Sequence, residues 1–128
     1  MFKNAKAFTG YSVNDLQKAK DFYGNILQLD VSEIAEMPTL RLHLAGGGDV
    51  LIYEKPNHQP ATFTVLNFPV EDLEGTVAKL KELGVPFEDY DFPGLKTDAD
   101  HIARGPVGPH IAWFTDPAGN ILSVLKEM

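Results

Sequence analysis

The stretch SVNDLQKAKDFYGNILQLD, Ser12–Asp30, decides the fold once it is set beside PVEDLEGTVAKLKELGVP, Pro69–Pro86. Both pass from an apolar strand end into Val-x-Asp-Leu, at Val13–Leu16 and again at Val70–Leu73, then into an amphipathic segment and an extended run. Self-similarity of this kind marks one supersecondary unit used twice. In the first copy Leu16, Ala19, Phe22, Tyr23, Ile26 and Leu27 recur with a helical period. In the second, Leu73, Val77, Leu80 and Leu83 do so, and Gly84 supplies a C-cap. Asn14, with Gln17 three residues later, reads as a capping box. Two such units imply pseudo-symmetry, and function is expected where the halves meet.

Outward from these helices the pattern turns to strands. Ala5–Val13 alternates Ala7, Thr9, Tyr11 and Val13 against Phe8, Gly10 and Ser12. Val31–Glu36 and Thr39–Ala45 follow, the latter setting Leu40, Leu42 and Leu44 against Arg41 and His43. Gly46–Asp49 is a hairpin turn into a strand at Val50–Lys55; no helix follows these glycines, so they do not cradle phosphate. The order β-α-β-β-β then restarts with strands at Ala61–Val70 and Val85–Asp91. It ends with His110–Thr115, a turn at Asp116–Asn120 and a last strand at Asn120–Lys126. Phe92–Pro109, rich in Gly, Pro and Asp, reads as irregular and long enough to act as a lid. The expected organisation is one domain over 1–128, with modules at 1–56 and 61–128 and a connector at 57–60.

At 128 residues one compact domain buries roughly two thirds of its unfolded surface. No apolar run is long enough for a membrane span, and Met1–Phe8 is no signal peptide. The absence of cysteine excludes disulfides and thiol nucleophiles and fits a cytoplasmic address. A formal charge of −7 disfavours nucleic acid and anionic membranes; it is compatible with a cationic small-molecule ligand, although solubility alone accounts for it.

The residues Val13–Leu16 with Ala19, Phe22, Tyr23, Leu27 and Leu29, and the run WFTDPAGNIL at Trp113–Leu122, resemble the vicinal oxygen chelate superfamily. That superfamily holds glyoxalase I, extradiol dioxygenases and fosfomycin and bleomycin resistance proteins. The resemblance covers essentially the whole chain. It implies an α+β fold of two βαβββ modules forming an incomplete barrel, and a homodimer. Gln28 departs from it, standing where the family usually has glycine.

In the family's metalloenzymes four strands each contribute one ligand, usually His or Gln, Glu, His and Glu. Laid onto this chain by its motifs, those positions fall on Phe8, near Ile52, on Val65 and on Ser123. Phenylalanine, isoleucine and valine offer a divalent ion nothing, and a lone hydroxyl is a poor ligand. No metal or other cofactor is therefore expected. Strand parity is expected to turn Phe8, Gly10, Ser12, Arg41 and His43 toward the bowl of the sheet. Ile52, Glu54, Phe63, Val65, Asn67 and Ser123 are expected to join them.

This mixture suits a small-molecule pocket, although Phe8, Ile52, Phe63 and Val65 could equally fill a core. Glu54 would receive a cationic group or pair with Arg41, while Asn67 and Ser123 would hydrogen-bond a ligand. The leading expectation is a metal-independent binder of a hydrophobic or cationic compound. The alternative is a family enzyme, a lyase, isomerase or dioxygenase-like protein, with His43 and Glu54 as base and orienter or with displaced metal ligands. His58, His101 and His110 fall on or beside loops, and His101–Arg104 is the one run resembling a binding loop. No Ser-His-Asp spacing stands out.

Overall fold

The computed structural model describes residues 1–106 and 108–127. The chain forms two compact units, Met1–Gln59 and Pro60–Met128. Among the described residues no helix is long and apolar enough to cross a membrane.

The first unit runs β1 (Thr9–Val13), α1 (Leu16–Asp21), a π-helical turn (Phe22–Ile26), β2 (Asp30–Glu33), β3 (Thr39–His43) and β4 (Asp49–Glu54). The strands lie in the order β1-β4-β3-β2, with β1 parallel to β4 and the rest antiparallel. Tyr11, Val13, Leu40, Leu42, Val50 and Ile52 form the buried face, with Ala19, Phe22 and Tyr23 from the helix also buried. Each fully buried large aliphatic contributes about 1.5–3 kcal/mol. β1 starts later than expected because its partner starts at Asp49. Thr9 pairs with Val50, so residues 5–7 would run past β4 toward the glycine turn. That turn forms as expected, with Gly47 at φ 88° and its N–H donating to the Leu44 carbonyl.

The helix cap is Asp15 rather than Asn14. Asp15 is extended, and its carboxylate accepts from the Lys18 N–H at 3.1 Å, while Gln17 donates to Asp21 instead of closing a capping box. A carboxylate at this position also complements the helix dipole. At the far end the helix widens. The Leu27 N–H reaches the Phe22 carbonyl, a bond spanning five residues, and this turn carries consecutive Phe22 and Tyr23 into the core together. Gln28 then takes φ 60°, the left-handed geometry that glycine holds without strain.

The second unit runs β5 (Thr64–Pro69), α2 (Leu73–Glu82), β6 (Phe87–Glu88), β7 (Asp91–Phe92), β8 (Leu95–Lys96), β9 (Ile102–Ala103), β10 (His110–Thr115) and β11 (Ile121–Lys126). Its sheet order is β5-β11-β10-β6, with β9 also on β10 and β5 parallel to β11. Leu73, Val77 and Leu80 of α2 are buried, as are Leu66, Ala112, Phe114, Leu122 and Val124 of the sheet. Asp72 repeats the cap, accepting from the Gly75 N–H at 3.0 Å. The Asp116–Asn120 turn closes on a buried carboxylate: Asp116 accepts from the Ala118 and Asn120 amides and from the Asn120 side chain. Both units are therefore α+β with helix-covered sheets, and neither sheet closes on itself.

The expected irregular stretch 92–109 is more ordered than its composition suggests. β7 and β8 form a hairpin, and β9 pairs Ile102 with Ala112. Val107 of that stretch lies outside the described residues, as does Met128.

Candidate functional site

In the first unit, strand register sorts the expected residues onto two faces. Gly10 lies opposite Leu51 and Ser12 opposite Tyr53 on the face away from α1; Arg41 and His43 join them through Leu51 and Asp49. Phe8 precedes β1 and is 69% exposed. With Lys6, Arg41, Asp49 and Leu51 it lines a pocket of about 320 Å³ beside the glycine turn. Ser12 Oγ lies 2.6 Å from His58 Nδ1, which ties that histidine to β1 instead of leaving it solvated on its loop.

Ile52 and Glu54 do not belong to this face. Ile52 pairs with Tyr11 and Leu40, is fully buried and sits in the core. Glu54 pairs with Val13, and its Oε2 accepts from the Leu16 N–H at 2.9 Å, completing the start of α1. It is neither a cation receptor on the open face nor the orienter of His43. That imidazole has Asp49 beside it, Nδ1 to Oδ1 at 3.4 Å, and Arg41 donates to the other oxygen of the same carboxylate at 3.2 Å. The run Val50-Leu51-Ile52-Tyr53 is apolar throughout, so alternation could not say which half faces the helix.

In the second unit Asn67 and Ser123 face each other across β5 and β11, and the Ser123 hydroxyl donates to Asn67 Oδ1 at 2.5 Å. Ser123 is also directly opposite Trp113, and Trp113 opposite Glu88. The Trp113 indole N–H donates to Thr64 Oγ1 at 3.1 Å. The Tyr90 ring meets Trp113 edge-on at 5.1 Å, and Phe92 stacks on Tyr90 at 6.1 Å. Burial raises the Tyr90 pKa, and Glu88 nearby adds to the shift. Val65 is half-buried in β5, and Phe63 just before it is 67% exposed. The aromatic group Trp113–Tyr90–Phe92 with Glu88 was not anticipated. Its one sequence signal was the alternation of Ile111, Trp113 and Thr115 against Ala112 and Phe114.

The run His101–Arg104 is tied down rather than open. His101 Nδ1 is 2.8 Å from Asp89, its ring stacks on Phe87, and Ile102 is fully buried. Arg104 donates to Asp98 and to Glu74, each at 2.7 Å. The bond from Arg104 lowers the Glu74 pKa, and Glu74 and Asp98 raise that of Arg104. Burial works against the Asp98 carboxylate, but Arg104 and the Ile102 and Asp100 amides outweigh it and hold its pKa down. His110 begins β10, half-buried.

A divalent ion of the kind the resemblance implies does not fit these residues. Phe8 and Val65 carry no donor atom, Ile52 is buried in the core, and Ser123 commits its hydroxyl to Asn67. Among the described residues no three acidic or histidine side chains gather into a possible ion site.

The family model described as the Glyoxalase/Bleomycin resistance protein/Dioxygenase superfamily matches residues 7–124. No curated protein matches significantly. Among solved structures, the fosfomycin resistance protein FosX of Listeria monocytogenes is similar, with a TM-score of 0.73 at 17% identity, over 98% of this chain and 92% of that one. A glyoxalase family protein of Enterococcus faecalis gives a TM-score of 0.69 at 24% identity, over 98% and 100%. Lactoylglutathione lyase of Agrobacterium tumefaciens gives 0.67 at 18%, over 97% and 95%. At these identities the likeness to solved structures establishes the fold and no activity.

Proposed function

Because the chain belongs to the Glyoxalase/Bleomycin resistance protein/Dioxygenase superfamily, yet offers poor metal donors where the resemblance places the ligands of that family's metalloenzymes, we propose that it is a metal-independent small-molecule-binding protein. The observation that carries this is what stands at three of those positions: Phe8 and Val65 carry no donor atom, and Ser123 gives its hydroxyl to Asn67. The ligand class follows from the second sheet's open face. Trp113 and Tyr90 offer an edge-to-face aromatic surface, Glu88 sets a carboxylate beside it, and the exposed Asn67, held by the buried Ser123 hydroxyl, supplies a polar amide. A flat, hydrophobic compound bearing a positive charge suits that combination. On the first unit, Phe8, Ser12, Arg41 and His43 are proposed as further ligand contacts, as are Phe63 and Val65 on the second.

The same proposal takes the working form as a cytoplasmic homodimer. Among the described residues the edge strands β1, β2 and β5 each pair on one side only, and lone edges invite a partner. Light scattering is expected to return twice the 14.1 kDa chain mass; a monomer would remove this part of the proposal.

Trp113 is the sole tryptophan and reports on its own surroundings. Titration with planar aromatic cations is expected to quench its fluorescence saturably, with Glu88→Gln weakening the binding about tenfold. Protein purified without chelator or affinity metal is expected to hold far less than one equivalent of any divalent ion. A stoichiometric ion would favour an enzyme with displaced ligands instead.

A further inference from the structure

The first sheet gathers a serine, a histidine and an aspartate from three strands on its open face. Ser32 of β2 lies directly opposite Arg41 of β3, and His43 of β3 lies opposite Asp49 of β4. Ser32 Oγ is 2.9 Å from His43 Nε2, while Nδ1 on the other side of the ring is 3.4 Å from Asp49 Oδ1. Each imidazole nitrogen thus has its own partner, a hydroxyl on one side and a carboxylate on the other. Asp49 lies within ion-pair range of Nδ1 and not at hydrogen-bond geometry; in the neutral tautomer with the proton on Nδ1 facing that carboxylate, the Nε2 lone pair would be directed at the serine, the arrangement that activates a hydroxyl. Base-to-hydroxyl distances in an unliganded site are commonly loose, and the 2.9 Å here is already within reach.

We propose that Ser32, His43 and Asp49 form a nucleophilic triad that hydrolyses small esters with a short apolar acyl or aryl group. Ser32 is exposed, so an ester can reach it from solvent. Arg41 stands across from Ser32 in the strand register with its guanidinium held by Asp49, and in this proposal it is the cation that would stabilise the oxyanion. The 320 Å³ pocket shares Arg41 and Asp49 as wall residues and adds Phe8 and Leu51 as an apolar bed.

In the first step Ser32 Oγ bonds the ester carbon, and its proton passes to His43 Nε2. The carbon–alkoxy bond breaks, and the alcohol leaves with that proton. Water, deprotonated by the same nitrogen, then attacks the acyl carbon. The acyl–Oγ bond breaks, a carboxylic acid departs and the serine hydroxyl is restored. Asp49 acts through the imidazole and is a positioning residue.

The test uses the full-length protein, with p-nitrophenyl butyrate as substrate and a fluorophosphonate as active-serine probe. A single adduct is expected by intact mass, mapped to Ser32, with ester turnover above that of free imidazole at equal concentration. Ser32→Ala is expected to abolish the adduct and lower kcat/KM by about 100-fold or more, and His43→Gln to do likewise. Asp49→Asn should lower kcat with KM kept, and Asp49→Glu should recover part of the loss. Turnover no faster than imidazole, an adduct on another residue, or an undiminished Ser32→Ala overturns the proposal. Because Ser32 is an exposed side chain, its loss is not expected to unfold the sheet, and circular dichroism checks this. Binding followed at Trp113 reports on the other unit, so failure here leaves the binding reading standing.

Discussion

In the first unit the sheet face away from the helix carries Arg41, His43 and Asp49; in the second it carries Trp113, Tyr90 and Glu88 beside Asn67 and Ser123. The opposite faces are far more alike. Tyr11, Val13, Leu40 and Ile52 in one unit, and Leu66, Phe114, Leu122 and Val124 in the other, are all buried. Covering one sheet face with a helix restricts that face to apolar groups, while the open face is under no such demand and is where repeats diverge. The difference therefore lies in the polar and aromatic side chains of one side of each sheet, while the buried side keeps the shape common to both.

The connecting turns separate the units most sharply. The first unit's glycine hairpin is exposed, whereas the second unit's turn is built around Asp116, with two backbone amides and the Asn120 side chain on one buried carboxylate. Asp116→Ala strands those donors and is expected to cost about 3 kcal/mol or more, since each unsatisfied buried polar group costs about 1–3 kcal/mol. Replacing Gly47, at φ 88°, by Ala should cost only about 1–2 kcal/mol, the strain of a left-handed residue. Urea denaturation reads both. An Asp116→Ala loss no larger than that at Gly47 would dissolve this contrast.

The helix starts and exits sharpen the comparison at smaller magnitude. Asp15 and Asp72 cap α1 and α2 in the same way, but α1 also has Glu54 on its Leu16 amide. Asp72→Ala is expected to cost about 1 kcal/mol, and Asp15→Ala less, because Glu54 still satisfies one donor there. At the exits the second unit has Gly84 at φ 84° and the first has Gln28 at φ 60°. Gln28→Gly is therefore expected to stabilise by about 0.5–1 kcal/mol, and Gly84→Ala to destabilise by about 1 kcal/mol. Opposite signs in thermal unfolding of the two variants are the check; equal signs would mean the exits are not equivalent.

How far these features could be read from residues alone follows the same division. The repeated Val-x-Asp-Leu and the helical stripes located both helices, and alternation set Tyr11, Leu40 and Leu42 on the faces opposite Gly10, Ser12, Arg41 and His43, which are the faces the structure buries. Ile52 and Glu54 went to the wrong face because an unbroken apolar run carries no period. Asn14 yielded to Asp15 because the two potential caps are adjacent, and only backbone geometry separates them. The Ser32–His43–Asp49 group was invisible in spacing because strand register, not sequence distance, brings it together. The segment 92–109 was read as irregular because its β7–β8 hairpin and β9 are two-residue strands, too short to show alternation.

The smallest effect concerns that segment. Arg104 ties the Asp98 loop to Glu74 on α2, and His101 ties its neighbour to Asp89. Glu74, Asp89 and Asp98 all have lowered pKa values in the folded chain. For a depressed carboxylate the stabilisation is fully present above its unfolded value, near 4, and is lost as pH falls through the lower folded value. These groups are well exposed, so the loss is small and screened by salt. Acidification below about pH 4 should therefore raise amide exchange at Asp98–Arg104 before it does so in β10 or β11. Arg104→Met should produce the same early exchange at neutral pH, because it removes the partner of both Glu74 and Asp98 while keeping the apolar stem. Unchanged exchange in that variant would mean that Ile102, buried against β10, holds the loop by itself.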